Sequence, residues 1–152
     1  MPDSITLRAA QAADLPALLA LEARFPGDRL SPRQMRHHLA NPRASLRVAL
    51  RDVQVCGYAL VFTRRGSDIA RLYSIAVDPA ARGLGVGARL LADAEHQARA
   101  AGAQALRLEV RCDNAAAVGL YESRGYRALA DLPGYYDDGG DGRRYGKALR
   151  DG

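Results

Sequence analysis

The stretch that decides the fold runs from Leu72 to Leu91: Leu72-Tyr73-Ser74-Ile75-Ala76-Val77-Asp78-Pro79-Ala80-Ala81-Arg82-Gly83-Leu84-Gly85-Val86-Gly87-Ala88-Arg89-Leu90-Leu91. Its opening residues read as the end of a strand over Ile69–Val77, stopped by Asp78-Pro79. Three closely spaced glycines follow, and then a helix from about Gly85 to Ala101 with Leu90, Leu91, Ala94 and Ala98 on its apolar side. A strand, a glycine-rich turn and a helix start form a device for holding phosphate. Glycine lets the backbone approach closely, and the unpaired N–H groups and dipole of the helix start favour negative charge.

Two nucleotide folds use the same device. A P-loop needs Lys and Ser or Thr after its glycines, and Ala88 and Arg89 stand there instead. The dinucleotide fingerprint is met in its permissive form by Gly83, Gly85 and Ala88, with Glu109 near the ribose-binding position. Its first glycine should follow the strand directly, yet Asp78 to Arg82 intervene. Only 43 residues remain after Glu109, too few to complete a doubly wound sheet, so this reading ranks second.

Outward from that stretch, Ile5–Arg8 alternates as a first strand, and Asp14–Phe25 carries leucines at helical spacing. Ser31-Pro32 starts a second helix ending near Ala40. Leu46–Leu50 and Val53–Phe62 form a hairpin about Asp52. Downstream lie a strand over Ala105–Val110, a helix over Asn114–Arg124, and strands over Tyr126–Leu129 and Arg144–Leu149. The order β-α-α-β-β-β-α-β-α-β-β implies a mixed α/β (α+β) sheet within one domain, 1–152, with parallel pairing around the central helix.

Composition narrows the classes. Of 152 residues 26% are charged and 48% apolar, an ordinary soluble balance, and the apolar runs are too short to span a bilayer. No basic segment followed by an apolar stretch opens the chain, so the expected location is cytoplasmic. Cys56, Cys112, His37, His38 and His96 show no metal-ligand spacing; no metal is expected, and both cysteines are expected as reduced core thiols. The net charge of +5 comes mainly from arginines spread along the chain; a basic surface would suit a polyanionic cofactor such as a nucleotide or CoA, but the charge alone decides nothing.

The residues Arg82, Gly85 and Gly87 after the strand resemble the acetyl-CoA signature of the GNAT acetyltransferase superfamily. Leu108-Glu109-Val110-Arg111, Asn114, Ala117, Leu120-Tyr121-Glu122 and Gly125-Tyr126 resemble its bacterial branch of ribosomal-protein alanine N-acetyltransferases (RimI type). The resemblance is strong from Leu72 to Tyr126 and looser elsewhere. It implies that the backbone of Ile75, Ala76 and Val77 pairs with the pantetheine arm. The turn Arg82, Gly83, Leu84, Gly85, Val86, Gly87 and Ala88 would take the pyrophosphate, and Asn114 would also touch CoA. It further implies Glu109 as general base and Tyr121 as general acid at the departing thiolate, with Tyr121 beside the cofactor. Tyr135 and Tyr136 would line the acceptor groove, opposite a wall around Phe25–Met35. Phe25-Pro26-Gly27-Asp28-Arg29-Leu30 departs from the aromatic segment of RimI-type enzymes.

The residue types suit that chemistry. Direct attack on acetyl-CoA needs a neutral amine, and an α-amine has a pKa of roughly 7.7–8.0, so a carboxylate is useful near neutrality. Taken singly, Glu109 reads as an exposed strand carboxylate, Tyr121 as a core aromatic, Asn114 as a helix cap and Tyr135-Tyr136 as part of a mobile surface loop. The expected partners are acetyl-CoA and an amine acceptor, a protein N-terminus first, with no DNA and no membrane, in a monomer or homodimer. A small-molecule amine, a lysine side chain or a non-catalytic acyl-CoA-binding module remains open.

Overall fold

A computed structural model of the chain describes residues 4–25 and 30–149. Seven strands form one sheet: β1 (Ile5–Ala9), β2 (Ala44–Arg51), β3 (Gln54–Phe62), β4 (Ile69–Val77), β5 (Ala105–Arg111), β6 (Arg127–Leu132) and β7 (Gly142–Ala148), in the order β1-β2-β3-β4-β5-β7-β6. Helices α1 (Leu15–Glu22), α2 (Pro32–Ala40), α3 (Val86–Ala100) and α4 (Ala115–Ser123) complete the mixed α/β fold. The element order is the one expected, with ends displaced by a residue or more, as helix and strand termini commonly are. All neighbouring strands pair antiparallel except β4 and β5.

Local chemistry sets the boundaries. Ser31 caps α2 through its hydroxyl, which accepts from Gln34 N at 3.1 Å, while the Gln34 side chain accepts from Ser31 N at 2.9 Å. Gly85 enters α3 with φ 75°, and Gly102 follows it with φ 92°. The hairpin turn holds Asp52 at φ 57°, a conformation that Asp tolerates better than most residues.

The sheet separates two apolar layers. One holds α3, with Leu90, Leu91, Ala94 and Ala98, together with Tyr121 and Tyr126. The other holds Leu18 and Leu21 of α1, Met35 of α2, and Tyr58. Strand alternation feeds both: in β2, Ala49 enters the first layer, whereas Val48 and Leu50 enter the second. Glu95 of α3 is a buried carboxylate in this frame. It accepts from the Tyr126 hydroxyl at 2.9 Å and from Lys147 Nζ at 3.1 Å, tying α3 to β7.

One irregularity in β4 matters most for the site. Leu60 lies opposite Ser74 and Val61 opposite Leu72, so Tyr73 is an extra residue, a β-bulge. The bulge inverts the parity of the strand. Ala70 and Leu72 join the α3 layer before it, whereas Ala76 joins the α1 layer after it. Pairing with β5 covers only Ile69–Arg71 and stops just short of the bulge, leaving a gap between the two strands.

Cys56 is buried, but Cys112 is exposed, contrary to the core position expected for it. It sits in the turn between β5 and the Asn114 cap of α4, beyond the apolar alternation of the strand. No described helix is long and apolar enough to cross a membrane. Leu90 is fully buried in the α3 layer, and Leu90→Ala is expected to cost about 2–5 kcal/mol, read as a lower urea midpoint at unchanged slope.

Candidate active site

Gly83 and Gly85 have φ of 85° and 75°, and a Cβ on either would meet nothing within 4 Å. The turn is therefore open on its outer side. Among the described residues, the backbone N–H groups of Gly83, Gly85, Val86, Gly87 and Ala88 donate to no protein acceptor. Free amides at the entrance of a fifteen-residue helix suit a pyrophosphate. Arg82 and Leu84 are exposed beside them, whereas the Val86 side chain is core. A Cβ on Gly87 would make only ordinary contacts, 3.5 Å from Leu120 and 3.8 Å from Val77, so packing does not require glycine there.

The gap between β4 and β5 forms a cavity of about 220 Å³. Ile75 and Ser74 line one wall, Glu109 and Asn114 another, with Tyr121 and Tyr136 also facing it. Ile75, Ala76 and Val77 pair with Ala59, Tyr58 and Gly57 of β3 on one side, while β5 pairing has already ended on the other. That edge leaves main-chain groups free for an amide-bearing arm, as the amides of pantetheine would require.

Glu109 and Tyr121 come to this gap from opposite faces of the sheet. Leu106, Leu108 and Val110 fill the α3 layer, so alternation turns Glu109 the other way. It is not the exposed carboxylate that its position alone suggests. Its side chain is 9% exposed, and its Oε1 accepts from Arg71 Nε at 2.9 Å while Oε2 accepts from Arg144 Nε at 2.9 Å. Two guanidiniums thus fix the carboxylate at the mouth of the gap.

Tyr121 belongs to the α3 layer, edge-on to Tyr126 with ring centroids 5.8 Å apart. Burial pushes its hydroxyl well above the ordinary tyrosine pKa, and neighbouring Tyr136 adds to the shift. Among the described residues that hydroxyl has no hydrogen-bond partner. Asn114 caps α4, accepting from Ala117 N at 3.2 Å, and lines the gap as well.

A second cavity, of about 520 Å³, opens on the α1 face and shares Tyr73, Ser74, Glu109 and Tyr136 with the first. Tyr135 and Tyr136 line it, their rings perpendicular at 5.0 Å. Their loop, expected to be mobile, is well tied. Tyr136 N donates to Gly140 O at 3.1 Å, Arg111 pairs with Asp138 at 3.0 Å, and the Arg111 guanidinium stacks on the Tyr136 ring at 4.4 Å. Of the expected opposite wall, Phe25–Met35, Leu30 lines this cavity, and Glu22 lines it from outside that range; residues 26–29 lie outside the described residues.

Glu22 and its partners were not foreseen. The Tyr58 hydroxyl donates to Glu22 Oε1 and lies 3.1 Å from Ser74 Oγ, while Glu22 Oε2 accepts from Leu30 N at 2.7 Å. Burial, followed by the Glu22 carboxylate, raises the Tyr58 hydroxyl far above its usual pKa. One signal was available in the sequence. Glu22 is an acid in the last turn of α1, where the helix dipole favours a cation, so it needs a partner elsewhere.

Comparison with known proteins agrees with this geometry. The model of the acetyltransferase (GNAT) family matches residues 13–126. The [ribosomal protein bS18]-alanine N-acetyltransferase of Escherichia coli K12 is 40% identical over 78 residues, 51% of this chain and 53% of that protein. The chain thus spans about half the length of the curated relatives of that name that it matches. The solved Escherichia coli ribosomal-protein-S18-alanine N-acetyltransferase superposes with a TM-score of 0.87 at 28% identity, covering 98% of this chain and 96% of that one. A Salmonella typhimurium protein solved with its cofactor acetyl-CoA shares the fold, with a TM-score of 0.84 at 21% identity and the same coverage. The family match extends over most of the sequence, from α1 through the glycine turn to Tyr126, and the chain belongs to the GNAT acetyltransferases.

Proposed function

We propose that this protein transfers acetyl from acetyl-CoA to an amine by direct attack in a ternary complex, the acceptor being a peptide N-terminus. The observation that carries this reading is a gap in the sheet with Glu109 on one side and Tyr121 on the other. The gap shares Tyr73, Ser74, Glu109 and Tyr136 with the tyrosine-lined cavity on the α1 face. Support also comes from the relative that acts on ribosomal protein bS18 and from the similarly folded protein solved with acetyl-CoA.

In this reading the amides of Gly83 to Ala88 hold the pyrophosphate and the free edge of Ile75–Val77 holds the pantetheine arm. Asn114 adds a polar contact beside it. Acetyl-CoA supplies an activated thioester carbonyl at the gap. The acceptor enters past Tyr135 and Tyr136, with Glu22 and Asp137 on the walls to attract a protonated amine. Glu109 removes the amine proton, directly or through one water, as nitrogen bonds to the carbonyl carbon. When the C–S bond breaks, its electron pair leaves on sulfur and Tyr121 supplies a proton there. A thiol is ordinarily the stronger acid of the two, so at the barrier Tyr121 acts mainly as a hydrogen-bond donor to developing thiolate charge. Exchange with solvent restores both side chains.

Turnover of acetyl-CoA with a panel of N-terminal peptides tests the reading. Acetyl-CoA binding without transfer to any peptide or amine would overturn it in favour of a binding module. Gly85→Val should weaken acetyl-CoA binding at least about tenfold by calorimetry, because the added side chain fills the open side of the turn. Glu109→Gln should lower kcat/KM by about 10²–10⁴ at neutral pH. Some of that loss returns at higher pH, where the α-amine loses its proton unaided; an unchanged pH–rate profile would remove Glu109 from the mechanism.

Tyr121→Phe should lower kcat with little change in KM, since its donor acts on charge that develops only in the transition state. The same burial has an independent optical consequence. Tyr58, Tyr121 and Tyr126 all have raised hydroxyl pKa values and stay neutral above the ordinary value of 10. Replacing any of them with Phe should therefore leave the native-state phenolate absorbance just above pH 10 unchanged. Their ionisation should appear only with alkaline unfolding.

A further inference from the structure

A third cavity, of about 500 Å³, continues from the acceptor cavity along the same sheet face and shares Arg71 and Glu109 with it. Its walls carry Arg43, Arg64, Arg71 and Arg107, and Glu109 is the sole carboxylate among them. That carboxylate is already committed to Arg71 and Arg144. Among the described residues, Arg43, Arg64 and Arg107 have no carboxylate partner, although several other arginines of the chain do. Arg71 and Arg144 pair with Glu109, Arg47 pairs with Asp93, and Arg111 pairs with Asp138. Three unneutralised guanidiniums converge on one bounded hollow, and guanidinium is matched in shape and charge to carboxylate.

The two adjoining cavities have opposite electrostatic character. The acceptor cavity holds Glu22, Glu109 and Asp137 against Arg71 alone. The neighbouring cavity holds the unpaired arginines, with Asn41, Thr63 and Ser67 as further polar groups. A ligand lying along both would be cationic at its reacting end and anionic further along. We infer that the acceptor is a peptide whose N-terminal amine is followed by acidic residues, which dock on Arg43, Arg64 and Arg107. This inference rests on the peptide-acetyltransferase reading above and specifies its substrate class.

Strand geometry places those acidic residues. Ser74 lines the acceptor cavity, while Arg71 and Ile69 of the same strand line the basic one. At about 3.3 Å per extended residue, the two levels are roughly 10–16 Å apart. An extended peptide running alongside β4 and antiparallel to it would span that distance in about three to five residues, putting Asp or Glu at positions four to six. The basic residues line one hollow that shares Arg71 and Glu109 with the acceptor cavity, which favours a peptide tail over the extended basic surface that a nucleic acid would use.

The test compares peptides that share one N-terminal residue and differ only at positions four to six: three Glu, three Gln or three Lys. At low ionic strength the Glu peptide should exceed the Lys peptide in kcat/KM by roughly tenfold or more, through KM, and salt should compress the difference. R64E and R107E, alone and together, should progressively invert that order. R65E, on the exposed turn outside the cavity, should keep the parent's order, and thermal midpoints confirm that each variant is folded. Equal rates for the three peptides, a Lys preference, or an order indifferent to R64E and R107E would overturn this inference while leaving peptide acetylation standing. Faster transfer to free glutamate than to any peptide would overturn the peptide assignment. No transfer to any peptide would overturn both readings. Competition by single-stranded RNA equal to that by the Glu peptide would assign the arginines to phosphate instead.

Discussion

The extra residue in β4 is the constraint on which the site depends. A regular β4 would continue its pairing with β5 and keep Ser74 and Ala76 on the α3 face with Leu72. The bulge at Tyr73 ends that regularity, and parallel pairing survives only at Ile69–Arg71. A bulged strand bends and twists more strongly than its neighbours, and that is enough to separate a pair of strands held by few hydrogen bonds. The cost is a set of unpaired main-chain groups in the middle of a sheet, where such groups are normally satisfied. An arm carrying its own amides would satisfy them, so the defect in the sheet is also the edge proposed to bind it.

The parity change explains why the candidate site draws on both faces. Before the bulge, Arg71 stands on the α1 side and meets Glu109, whose own alternation turns it the same way. After the bulge, Ser74 faces Tyr58 and, through it, Glu22. Tyr121 remains in the α3 layer and reaches the gap from behind. Glu109 and Tyr121 therefore approach one small space without competing for one face. Their surroundings differ accordingly: ion pairs orient the carboxylate, while apolar packing keeps the hydroxyl neutral, with no hydrogen-bond partner among the described residues.

The elements of the proposed cofactor side were legible in the chain because their requirements are local. Positive-φ glycines, the Asp78-Pro79 stop and the helix cap at Asn114 are written in adjacent residues, and each stands where its chemistry placed it. The acceptor half was not readable to the same degree. Glu22, Tyr58 and Ser74 come from three elements, and only the inverted parity of β4 brings the serine to the other two. Periodicity cannot reveal a bulge, because one extra residue in a largely apolar strand leaves no local mark. Cys112 failed for a related reason: hydrophobic character suggested the core, but its place between a strand end and a helix cap decided its exposure. Glu109 on strand alternation alone looked solvent-exposed. Its burial depends on arginines from β4 and β7, which the sequence does not show to be neighbours.

The same contrast bears on how such a fold acquires its acceptors. In the proposed reading the glycine turn and the open strand edge act through main-chain groups, a role that tolerates wide variation in side chains. The acceptor face is built from side-chain charge on several elements, and a single substitution there changes the local field. In this chain that field is divided along the face, acidic where the proposed amine would arrive and basic beyond the Arg71–Glu109 pair. The pair itself stands at the boundary and contributes to both cavities. It fixes the proposed base and also screens the acidic end from the unpaired arginines. Replacing Arg71 would therefore disturb orientation at Glu109 and the charge division together, whereas Arg64 lies on the basic side alone and can alter selection without touching the reacting centre.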